Sequence, residues 1–157
     1  MKIFIATDHA GFELKNQIKN YLMDLGLGYE VVDMGDIALN KDDDYPDFVM
    51  PLAETVAREQ GSMGIILGGS GQGEAMCANR VSGVRAGVFY GQETKKEGEN
   101  QADGFEIVKL MREHNNANVL SLGARFITVD EAKFAVELFL NTNFSGEERH
   151  VRRLAKF

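Results

Sequence analysis

Short apolar runs alternate five times with longer stretches whose apolar residues recur at helical spacing, and this alternation restricts the chain to few folds. Lys2 to Thr7, Tyr29 to Asp33, Met63 to Leu67, Arg85 to Tyr90 and Asn118 to Leu122 read as strands. Phe12, Ile18, Tyr21, Leu22 and Leu25 mark one face of a helix that ends near Gly26-Leu27-Gly28. A second helix, from Pro46 to Gln60, buries Phe48, Leu52 and Val56. A third follows the glycines after Leu67, a fourth runs from Phe105 towards Glu113, and a fifth spans Asp130 to Leu140 with Asp130 as N-cap. Strands separated by helices pair in parallel and are covered on both faces. The pattern therefore predicts an α/β fold: one doubly wound (αβα) domain over residues 1–157, with a five-stranded parallel sheet in the order 2-1-3-4-5.

Such a sheet places ligands at the C-terminal ends of its strands, near the switch in strand order. Three polar clusters follow strand ends: Asp8-His9, the loop Gly68-Gly69-Ser70-Gly71-Gln72-Gly73-Glu74, and Gly123-Ala124-Arg125. With the first and third strands adjacent, Asp8, His9 and the loop line one crevice. The glycines let backbone approach a ligand closely, and a helix start beyond them suits an anion. The loop lacks the Gly-Lys-Ser/Thr ending of a Walker A motif, and its G-x-G-x-G spacing is not the dinucleotide fingerprint. Gly69, Gly71, Gln72 and Gly73 are expected to touch substrate, with Glu74 as a carboxylate beside the anion.

A net charge of −7 argues against nucleic acid as partner, and an anionic substrate then calls for locally placed arginines. The cluster Arg149, Arg152, Arg153 offers them. Met1-Lys2 leads directly into strand-like residues, no apolar run approaches ~18 residues, and the single Cys77 makes no internal disulfide. The expectation is a cytoplasmic protein without membrane contact. Three histidines and one cysteine lack metal-ligand spacing, so no metal and no cofactor are expected.

Asp8-His9-Ala10-Gly11 with Lys15, Asp44-Tyr45-Pro46, Gly69-Ser70-Gly71-Gln72-Gly73, Ala78-Asn79-Arg80 and Gly83-Val84-Arg85-Ala86 form an ordered series. His114-Asn115-Asn116, Gly123-Ala124-Arg125 and Arg149-His150 with Arg153 complete it. In these segments the chain resembles the ribose-5-phosphate isomerase B family, which includes the galactose-6-phosphate isomerase subunits. The resemblance implies a cofactor-free aldose–ketose isomerase of a phosphorylated sugar, acting through a cis-enediol(ate). It also implies a homodimer with active sites between subunits, a tetramer being left open, and residues 144–157 packed on the partner.

Roles follow from the same resemblance. Many members carry a cysteine base just before the glycine loop; here that position is Gly68, and the role falls to Glu74 as in the family's other branch. His114 donates a proton to open the sugar ring, Ser70 helps hold the enediolate, and Asn115 binds a sugar oxygen. His9 holds phosphate or hydroxyls and Asp8 a sugar oxygen, while Arg149 and Arg153, joined by Arg125, clamp phosphate from the partner subunit. His150 is read as a surface residue, Asp42-Asp43-Asp44 as a solvated turn, and Cys77 as a small core residue. Between Tyr90 and His114 the chain is longer than typical members by roughly a dozen residues, read as a surface insertion. The expected reaction is ribose 5-phosphate to ribulose 5-phosphate; a hexose 6-phosphate substrate and a non-catalytic phosphate or nucleotide sensor are the alternatives.

Overall fold

Apolar residues on alternate sides of each strand commit the sheet to two cores. The computed structural model describes residues 1–92 and 104–157; the added length expected after Tyr90 falls largely outside them. The strands are β1 (Lys2–Thr7), β2 (Glu30–Asp33), β3 (Met63–Gly68), β4 (Ala86–Phe89) and β5 (Val119–Gly123). The helices are α1 (Phe12–Asp24), α2 (Pro46–Arg58), α3 (Gln72–Ala78), α4 (Gly104–Glu113), α5 (Val129–Asn141) and α6 (Glu148–Leu154). Ile3, Ile5, Ile65, Leu67, Leu120 and Leu122 face α1, α4 and α5. Phe4, Ala6, Ile66 and Val119 face Val49, Leu52, Ala53 and Val56 of α2, with Ala78 of α3. Leu67 is fully buried, and truncating such a side chain to alanine costs about 2–5 kcal/mol. Among the described residues, no helix is long and apolar enough to cross a membrane.

All strand pairs are parallel, and the order is β2-β1-β3-β5-β4. The expected 2-1-3-4-5 order is therefore corrected at one edge. Every residue of β5 is buried, which requires neighbours on both sides, whereas three of the four residues of β4 are only half-buried. The shorter strand takes the edge. This exchange sets Gly68 of β3 opposite Gly123 of β5. The turn after β5 then docks on the glycine loop, with Ala124 N–H donating to Gly68 O at 2.8 Å and Arg125 N–H to Gly69 O at 3.1 Å.

Local chemistry fixes the remaining site-bearing segments. Lys15 of α1 is fully buried, and its ammonium donates to Asp33 at 2.8 Å and to the Asp36 carbonyl at 2.6 Å. Burial opposes ionisation of Asp33, but hydrogen bonds from Lys15 and Lys19 outweigh it and hold the carboxyl below its usual value. This pair anchors the start of the segment joining β2 to α2, which carries Asp43 and Tyr45. The N-cap of α5 is Thr128, not Asp130: Thr128 and Glu131 form a reciprocal capping box, which places Asp130 in the first turn.

Candidate active site

At the C-terminal ends of β1, β3 and β5 a crevice of ≈ 360 Å³ is lined by Asp8, His9, Tyr45, Gly69, Ser70, Gly73, Glu74 and Arg125. Two of these arrive from the turn after β1, Tyr45 from the segment that leads into α2, four from the loop between β3 and α3 or from α3 itself, and Arg125 from the turn after β5. Gly71 adopts φ 76°, a left-handed conformation that lets the loop turn into α3. Arg125 lies over the loop, its guanidinium carbon 3.2 Å from where a β-carbon on Gly69 would sit. Tyr45 presents its hydroxyl 3.0 Å from the equivalent point on Gly73.

Glu74 is 5% exposed, and its carboxylate fills the space beside Gly68. A β-carbon at residue 68 would land on that carboxylate, lying 2.7 Å from even the farther of its two oxygens. Burial pushes the Glu74 carboxyl above its usual value, the Asp8 charge adds to this, and the backbone N–H of Glu74 opposes it. The helix N-terminus does not prevail here; desolvation does. Cys77, one turn further on, is half-buried beside the α2 core, and burial followed by the Glu74 charge raises its thiol.

His9 is held on one edge. Its backbone N–H donates to Asp43 Oδ1 at 3.1 Å, and its Nδ1 meets the same oxygen at 2.5 Å. The hydrogen bond to Asp43 raises the imidazole above its ordinary value, against partial desolvation, with Asp8 and Asp43 adding field and Arg125 subtracting. Asp43 is thus no solvated turn residue: its side chain is 6% exposed. Asp8 accepts from Ala10 N–H at 2.9 Å, and its second oxygen stands 4.0 Å from His9 Nδ1. Asp8, His9 and Asp43 bring ligand-type atoms within 4.8 Å of one another. In this arrangement His9 Nδ1 and Asp43 Oδ1 meet at 2.5 Å, a hydrogen-bond length.

Other expected residues lie elsewhere. Gln72 is exposed and lines a separate hollow with Phe89 and Tyr90, so within one chain it does not face the crevice. Gly71 is buried under β5, its carbonyl accepting from Ser121 Oγ at 2.7 Å. His114 and Asn115 follow α4 and precede β5, which puts them at the opposite end of the strands, roughly 15–20 Å away. Asn115 there lines a hollow of ≈ 440 Å³ with Asn79, Arg85, Met111 and Phe157, a lining without an acidic side chain among the described residues. Arg149 and Arg153 project from α6 beside this end; Arg149 pairs with Glu147 at 2.8 Å.

His150 corrects a further expectation. It is 3% exposed, and its ring stacks on His114 with centroids 4.2 Å apart and planes 11° from parallel. Its Nε2 is buried without a hydrogen-bond partner among the described residues. Burial, then the neighbouring His114, lowers the imidazole below its ordinary value. Asp43, Tyr45 and His150 are therefore the site-bearing residues that sequence reasoning left without a role. Tyr45 and His150 carried a signal, through their places in Asp44-Tyr45-Pro46 and Arg149-His150; Asp43 carried none.

A family model described as Ribose/Galactose Isomerase matches residues 3–157. Ribose-5-phosphate isomerase B of Mycobacterium tuberculosis is 38% identical over 154 residues, covering 98% of this chain and 86% of that protein. A probable ribose-5-phosphate isomerase B of Mycoplasma genitalium is 39% identical, covering 98% of this chain and 91% of that protein. The crystal structure of the Mycoplasma genitalium enzyme with bound ribulose-5-phosphate superposes with TM-score 0.85 at 38% identity, covering 99% of this chain and 92% of that one.

Proposed function

Because the chain belongs to the ribose/galactose isomerase family, we propose that it interconverts ribose 5-phosphate and ribulose 5-phosphate, with Glu74 as the base. The carrying observation is the buried Glu74 carboxylate, seated beside Gly68 and raised by burial. In the open-chain aldose, Glu74 removes the C2 proton. The C2–H electrons form a C1=C2 bond, and the carbonyl π electrons move onto O1. The protonated Glu74 then returns the proton to C1 as the O2 proton passes to O1, leaving a ketone at C2. A carboxyl raised towards neutrality serves both directions of this exchange better than an ordinary one. Ser70 and the backbone N–H groups around it stabilise the transient oxyanion.

The phosphate sits among His9, Arg125 and two further arginines, and ring opening uses His114. Arg149, Arg153, His114 and Asn115 stand at the opposite end of the sheet from Glu74 within one chain. A second copy of the chain supplies them, so the protein works as a homodimer with residues 144–157 reaching the partner's crevice. A reducing cytoplasm suits its single Cys77. A panel of aldose 5- and 6-phosphates assayed for ketose formation tests the reading. Turnover of ribose 5-phosphate is expected; a hexose phosphate turned over in its place would shift the substrate, and no turnover of any would remove the isomerase.

A further inference from the structure

We infer that Asp43 is a positioning residue for phosphate recognition: its buried carboxylate holds His9 through Nδ1 as an imidazolium, which leaves Nε2–H to donate into the crevice. This rests on the reading above, in which His9 faces the phosphate of a sugar phosphate.

The geometry is specific. One oxygen, Asp43 Oδ1, accepts from both the backbone N–H and the ring Nδ1 of His9, at 3.1 and 2.5 Å. Ring orientation is thereby set, and Nε2 is the only ring nitrogen left for a ligand. A neutral ring with its proton on Nδ1 would turn a lone pair on Nε2 towards the phosphate dianion and repel it. The imidazolium donates from both nitrogens, and its bond to the anion is charge-assisted. Asp8 does not replace Asp43, because one of its oxygens accepts from Ala10 N–H and the other stands 4.0 Å from Nδ1, beyond hydrogen-bond reach. Within one chain, the remaining charged groups around the ring among the described residues are Arg125 from the turn after β5, which disfavours the proton, and Glu74 across the crevice. Asp43 Oδ2 is buried without a hydrogen-bond partner among the described residues. A carboxylate kept there half-satisfied is explained by its charge rather than by a latch alone.

Asp43→Asn separates the two roles, since its amide oxygen still accepts both bonds and only the charge is lost. The expected result is a KM for ribose 5-phosphate raised about tenfold at pH 8. That difference narrows to within about twofold near pH 6, where an ordinary imidazole of pKa ~6.5 protonates unaided, and kcat changes by less than about threefold. His9 ring signals followed by NMR should titrate at higher pH in the wild type than in Asp43→Asn. Inorganic phosphate, used as the probe, should raise the wild-type midpoint further. A KM ratio that stays constant from pH 6 to 8, or equal His9 midpoints in the two proteins, overturns the inference. The NMR comparison requires no turnover, so an Asp43 failure is distinguishable from failure of the isomerase reading.

Discussion

Alanine at position 68 should separate the placement of the Glu74 carboxylate from the stability of the fold. The backbone at Gly68 is not left-handed, so the obstacle to a β-carbon is the Glu74 carboxylate, 2.7 Å away at its farther oxygen. That obstacle is the far end of a rotatable side chain. Glu74 can swing out at an off-rotamer cost of about 0.5–1.5 kcal/mol. Rehydration of a carboxylate that burial disfavours offsets this, as does the loss of glycine freedom in the unfolded chain, worth ~0.4–1 kcal/mol. Net stability, read from denaturant midpoints, should stay within about 1 kcal/mol of wild type. Activity should not. A base moved by even ~1 Å loses about 10²-fold, and its removal costs ~10²–10⁴-fold, or about 3–5 kcal/mol in barrier. In a ketose-formation assay Gly68→Ala should fall in kcat nearly as far as Glu74→Gln, with KM little changed in both. The double variant should lose little more, because both changes remove one group's action. A Gly68→Ala enzyme within about threefold of wild-type kcat, or a double variant another hundredfold slower, would refute the reasoning.

Three further outcomes are expected. Mixing an Arg149→Ala, Arg153→Ala variant with Glu74→Gln should restore roughly a quarter of wild-type activity after subunit exchange, since half the dimers then hold one intact site; no recovery would place the arginines in their own subunit's site. Because His150 is held below its ordinary value when folded, its stabilising effect is present above the unfolded imidazole pKa of ~6.5 and is lost as pH falls through it. The drop in Tm between pH 7.5 and 5.5 should therefore be smaller in His150→Gln than in wild type, His9 being common to both; equal drops would contradict the burial argument. Exhaustive EDTA treatment should leave turnover unchanged, and loss restored by a divalent cation would reassign Asp8, His9 and Asp43 as ligands.

What the sequence discloses depends on the range of the interaction. The five strands and helices α1 to α5 were legible because their apolar periods are local, whereas α6 lay unread in the basic final segment; the glycine loop beside Asp8-His9 was legible because adjacent parallel strands bring their ends together. The exchange of β4 and β5 was not, since both are short apolar runs and only full burial of β5 decides which is central. Arg125 reaches the crevice because of that exchange. Asp43 was hidden for a related reason: a run of three aspartates in a loop looks solvated until its partner, 34 residues away, is known. His150 lay in a basic segment whose charges mask the one ring that turns inward onto His114. Thr128 and Asp130 are both good caps, and the reciprocal bond with Glu131 chooses between them.

On the function proposed above, this chain moves a proton between C1 and C2 of ribose 5-phosphate through an enediolate at Glu74. NMR of wild type and Glu74→Gln with ribose 5-phosphate in D₂O tests it most directly. Wild type should form ribulose 5-phosphate and carry solvent deuterium into C1 of the ketose, while the variant does both at least ~100-fold more slowly. Ketose formation by Glu74→Gln at the wild-type rate, or wild type that leaves ribose 5-phosphate unchanged, would contradict the account.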